Sequence, residues 1–95
     1  MEKISIIGAG SWGTGITALV APKVGTVCLW AREDRIANTI CSEHRNPVYL
    51  ADVQLAENVV ATASMQEAVA GTDAIILASP SAYLRSTISK LAPHV

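Results

Sequence analysis

The sequence predicts an α/β fold, a doubly wound parallel sheet of about four strands in the order 3-2-1-4 that is incomplete relative to the full architecture. Short β-branched apolar runs at residues 4–7, 27–30, 59–62 and 74–78 are separated by segments with helical periodicity. The first run stops at a cluster of glycines that opens directly into a helical pattern. The first two runs and the helical segment between them make a complete βαβ unit, of the ~30 residues such a unit requires.

The stretch from Lys3 to Gly15, KISIIGAGSWGTG, reads as strand, glycine turn and helix start. Ile4, Ile6 and Ile7 suit a strand buried on both faces. Gly8, Gly10 and Gly13 fit G-x-G-x-x-G. Gly8 permits a sharp turn out of the strand, Gly10 lets backbone approach a pyrophosphate, and Gly13 lets the helix lie close on the strand. Free N–H groups at the helix start would face the phosphates. Glycines also mark ordinary turns. Here the pattern follows a strand and precedes a helix, so a Rossmann-type dinucleotide site is the preferred reading.

Ninety-five residues, of which 51% are hydrophobic, with a net charge of −1, suit one small domain spanning residues 1–95 with a globular core. There is no basic field for nucleic acid. Cys28 and Cys41 are too far apart for a C-x-x-C pair, and only His44 and His94 could supplement them, so no metal site is expected and free thiols in a reducing compartment are the simpler reading. The chain reaches its glycine motif too soon for a signal peptide, and no apolar run approaches the ~20 residues of a membrane span. A soluble, cytoplasmic chain without a membrane span follows as the expectation.

Residues from Ser11 to about Ala21 carry Trp12, Ile16, Leu19 and Val20 near one helical face. Pro22 and Gly25 bracket the helix end. Val27, Cys28, Leu29 and Trp30 form the second strand. Its end is where an NAD site keeps an Asp or Glu for the ribose hydroxyls, whereas an arginine suits the 2′-phosphate of NADP. Trp30, Ala31 and Arg32 fill that slot without an acid. The Arg32 guanidinium can pair with a phosphate or lie on adenine. The alternative is a solvated arginine paired with a neighbouring acid. Glu33 and Asp34 belong to the first turn of the next helix.

That surface helix runs from Glu33 to His44 with Ile36, Ala37 and Ile40 as a narrow apolar stripe. His44 and Arg45 complement its C-terminal dipole, a reading preferred to a catalytic His44. Asn46-Pro47 ends the helix, and residues 48–58 read as a long loop and a functional candidate. Its Tyr49 is either a packing aromatic or a lid over the nucleotide. Val59 to Thr62 make the third strand. Ser64 with Glu67 three residues on matches a capping box for a short helix ending near Gly71. Ala74 to Ala78 make the fourth strand, which lies beside the first in such a sheet, so the following loop borders the ligand crevice. Ser79 and Ser81 are candidates for cofactor contact, with helix capping by Ser81 as the competing role. Tyr83, Leu84, Ile88 and Leu91 give the last helix its apolar face, and Pro93 ends it. A fourth strand at the sheet margin leaves an apolar edge, from which self-association as a homodimer is expected.

These residues carry a resemblance. GAGSWGTG at Gly8 to Gly15, LWAR at Leu29 to Arg32, NPVYL at Asn46 to Leu50 and Pro80-Ser81 are similar to the N-terminal domain of bacterial NAD(P)-dependent glycerol-3-phosphate dehydrogenase, in order along the whole chain. The resemblance implies an oxidoreductase of glycerophospholipid metabolism. Its activity would be hydride transfer between NAD(P)H and dihydroxyacetone phosphate, giving glycerol 3-phosphate. It implies that Ser11, Trp12, Arg32 and Tyr49 touch NADP(H). NADP(H) is favoured as cofactor, with NAD(H) as the alternative. The family's catalytic lysines and helical substrate domain fall beyond Val95. No catalytic residue is therefore assigned, the phosphorylated substrate is expected only with that further domain, and the 95-residue chain alone is expected to be inactive. A standalone non-catalytic NAD(P)-binding or redox-sensing module, or the cofactor half of another two-domain reductase, are the alternatives.

Overall fold

A computed structural model describes residues 2–48, 52–78 and 81–94, with side chains in the last helix from residue 85 onward. Strand β1 (Lys3–Ile7) leads into helix α1 (Ser11–Val20) and a 3-10 turn at Ala21–Lys23. Then come β2 (Thr26–Trp30), α2 (Asp34–Glu43), β3 (Val59–Thr62), α3 (Met65–Val69), β4 (Ala74–Leu77) and α4 (Ser81–Leu91), closed by a 3-10 turn at Ala92–His94. The strands form one parallel sheet in the order β3-β2-β1-β4, as the sequence predicts. Ile7 stands opposite both Trp30 and Leu77, so β1 is the central reference for the register of its neighbours.

Alternation along the strands divides the core into two layers. Ile4, Ile6, Val27, Leu29 and Val59 face α1 and α2, where they meet Ile36, Ala37 and Ile40. Ile7, Cys28 and Trp30 face the other way, onto Met65, Ala68, Val69 and Leu91. Burial on both faces is why β1 and β2 read as continuous apolar runs. Ser5 is the polar exception inside β1, and its hydroxyl donates to the Ala68 carbonyl, fastening α3 to the sheet.

Helix α1 turns a different side inward from the one its large apolar residues mark. Trp12 and Leu19 are 78% and 73% exposed, whereas Gly13, Thr14 and Thr17 are buried and Ile16 and Val20 reach the core only in part. The helix lies so close to β1 that only small side chains fit beneath it. In α4, Leu91 is buried as expected, whereas Ile88 is exposed and Thr87 takes the inward position beside it. The predicted contributions of Tyr83 and Leu84 to that face lie outside the described side chains.

Helix α2 stops one residue earlier than predicted, because His44 adopts the left-handed conformation (φ 54°, ψ 43°) and its N–H closes on the Ile40 carbonyl. The His44 carbonyl in turn accepts the Leu55 N–H at 2.7 Å, which folds the following loop back over the helix end. At α3 the predicted cap forms, with Ser64 Oγ accepting the Glu67 N–H at 3.3 Å. The reciprocal half is relayed: the Ser64 N–H donates to Thr62 Oγ1, whose hydroxyl donates to the Glu67 carboxylate. No helix among the described residues is long and apolar enough to cross a membrane.

Candidate nucleotide site

The carboxyl ends of β1, β2 and β4 meet at one margin of the sheet. The Gly8 N–H donates to the Trp30 carbonyl at 3.1 Å, and the Ala78 N–H donates to the Ile7 carbonyl at 2.9 Å. Gly8 carries a positive φ of 124°, which a side chain would oppose, and the chain turns there out of β1. Gly10 is the N-cap of α1, and its carbonyl accepts the Thr14 N–H at 2.9 Å. Helix geometry leaves the N–H groups of the first turn, Ser11 and Trp12 among them, without intrahelical acceptors.

The glycines differ in what surrounds them. A Cβ on Gly13 would lie 1.7 Å from the Gly8 carbonyl oxygen, so this glycine sets the approach of helix to strand. A Cβ on Gly10 would meet nothing within 4 Å. The space over Gly10 is open, beside bare backbone and the N-terminus of α1.

At the end of β2, Trp30 and the following Ala31 are buried and Arg32 is exposed, so of these three residues only Arg32 presents its side chain to solvent. Trp30 is held from both sides: its indole N–H donates to the Ala63 carbonyl at 2.9 Å, and the Lys90 ammonium lies 5.8 Å from the ring centroid. Glu33 is the N-cap of α2 and pairs with Arg35 at 3.5 Å, while Asp34 occupies the first turn. Tyr49 and Ser79 lie outside the described residues.

Asn46 is the residue that sequence reasoning passed over. Given there as a helix stop and as the first residue of the NPVYL stretch, with no contact of its own, it is fully buried and bonded to the Ala9 carbonyl inside the glycine turn. Its position beside Pro47, at the start of a loop read as functional, was the available signal. A groove of about 490 Å³ lies elsewhere, along β2 and β3 on the α3 side. Lys3 and Glu67 in its wall are engaged, Lys3 with the Ala70 carbonyl and Glu67 with Thr62, so it is not the candidate site. Among the described residues no group of His, Cys, Asp and Glu could hold a metal ion.

A parallel βαβ sheet with this glycine turn between β1 and α1 defines the Rossmann-type nucleotide-binding class. Residues 3–95 match the family model described as NAD-dependent glycerol-3-phosphate dehydrogenase N-terminus, and the chain belongs to that family. It is 39% identical over its full length to glycerol-3-phosphate dehydrogenase [NAD(P)+] of Corynebacterium urealyticum, covering 29% of that protein. It is 42% identical over 97% of its length to the Geobacter metallireducens protein of the same name, covering 28% of it. Among solved structures, glycerol-3-phosphate dehydrogenase of Coxiella burnetii superposes with a TM-score of 0.90 at 29% identity, over 99% of this chain and 29% of that one. The chain thus spans under a third of the length of these relatives.

Proposed function

We propose that this chain is the cofactor-holding part of an NAD(P)-dependent glycerol-3-phosphate dehydrogenase. The observation that carries the proposal is the whole-length family match joined to the open backbone at Gly10. Gly8, Gly10 and Gly13 shape the turn, and the Ser11 and Trp12 N–H groups meet the pyrophosphate. Arg32 takes the adenosine end, with Tyr49 and Ser79 as further contacts. The bound nicotinamide supplies the hydride for the ketone carbon of dihydroxyacetone phosphate. The chain's own part is to bind and orient that cofactor.

Arg32 favours NADP(H), because the acids that could take ribose hydroxyls are drawn into the start of α2. Free thiols at Cys28 and Cys41 support a reducing cytoplasm. A homodimer belongs to the same reading, and light scattering over a concentration series tests it.

Calorimetric titration of the chain with NADPH and NADH, followed in parallel by Trp12 emission, tests the central reading. Saturable binding of at least one dinucleotide is expected. A folded chain that binds neither would remove it.

A further inference from the structure

We propose that Asn46 is a positioning residue of the dinucleotide site, setting the orientation of the glycine turn and of the segment leading to Tyr49. The inference rests on the nucleotide-binding reading above. Asn46 comes three residues after α2 ends, 37 positions from the turn it contacts, and its side chain is 0% exposed. Its Nδ2 donates to the Ala9 carbonyl at 2.7 Å and to Thr14 Oγ1 at 3.0 Å. Its Oδ1 accepts the Val48 N–H at 2.9 Å. One buried amide therefore holds three pieces of chain: the glycine turn, the first turn of α1 and the loop after α2.

The bond to Ala9 matters because of peptide geometry. The Ala9 carbonyl and the Gly10 N–H belong to one planar trans peptide, in which they point in opposite directions. Drawing the carbonyl to Asn46 fixes the plane of that peptide and turns the Gly10 N–H away from Asn46. A donor fixed before the ligand arrives loses less freedom on binding. The Val48 bond fixes the backbone immediately before Tyr49 by the same amide.

The test is Asn46→Asp in the 95-residue chain. It keeps the acceptor for Val48 and replaces the donor to Ala9 by an oxygen, which repels that carbonyl. At a temperature where circular dichroism shows both proteins folded, NADPH and NADH affinities should fall alike by roughly tenfold. Their ratio should stay unchanged, because Arg32 is untouched. A merely structural role would lower the melting temperature and leave the affinity of the folded protein intact, and that result overturns the proposal. If Asn46→Asp does not fold, Thr14→Val carries the test, since at nearly constant volume it removes the hydroxyl that accepts from Asn46 and donates to the Ala9 carbonyl at 3.4 Å. A several-fold loss for both dinucleotides supports the proposal, and unchanged affinity overturns it. An unmodified chain that binds neither dinucleotide overturns the nucleotide reading itself and this inference with it, which distinguishes the two failures.

Discussion

A Cβ placed on Gly13 falls 1.7 Å from the carbonyl oxygen of Gly8, five residues back across the turn. No side chain tolerates that separation, and the atom it meets is backbone. Gly13→Ala must therefore push α1 off β1, at a cost of about 3 kcal/mol. Gly10→Val meets open space and should fold, while its branched side chain blocks the pyrophosphate. Urea unfolding and dinucleotide titration on the same two variants check this. The expected outcome is a stability loss in the first and a binding loss without a comparable stability loss in the second.

Arg32→Ala should narrow the preference for NADPH over NADH. The guanidinium is exposed beyond two buried residues, so its loss removes a phosphate partner without opening the core. Paired calorimetric titrations give the ratio directly. Equal affinities in the unmodified chain would sink the phosphate role.

Asp73 contributes to the acid side of the stability profile. Its carboxylate accepts the Lys3 N–H at 3.1 Å and the Glu2 N–H at 3.0 Å, and these bonds, that from Lys3 foremost, hold its pKa below the usual carboxylate value. A lowered folded pKa gives stability that is present above the unfolded carboxylate pKa of ~3.9 and lost as pH falls through the folded value. Asp73→Asn should flatten that acid limb. Urea midpoints measured against pH check it, and parallel curves for the two proteins would refute it.

The two thiols should react at different rates. Cys28 is buried in the β2 layer, and burial, only partly opposed by the Lys3 charge, pushes its pKa up. Cys41 is exposed on α2, with Sγ 3.1 Å from the Ala61 carbonyl. Iodoacetamide near neutral pH should modify Cys41 in the native chain and Cys28 only after denaturation. Mass spectrometry of timed samples reads the order, and early labelling of Cys28 would contradict the burial.

The turn at Gly8 to Gly13 and the cap at Ser64 were legible in the sequence, because each depends on residues close together in the chain, and the strand order followed from the fold class that those local patterns define. Backbone conformation and local hydrogen bonding are short-range, so glycine spacing and apolar runs report them directly. Tertiary structure decided what packing and long-range bonds control. It selected Thr14 and Thr17 over Trp12 and Leu19 as the inner face of α1, because the Gly13 contact brings the helix too near the strand for large side chains. It buried Trp30 and Ala31 and left Arg32 outward. It also brought the Asn46 amide to Ala9, since a side-chain hydrogen bond across 37 positions leaves no periodic trace in a sequence.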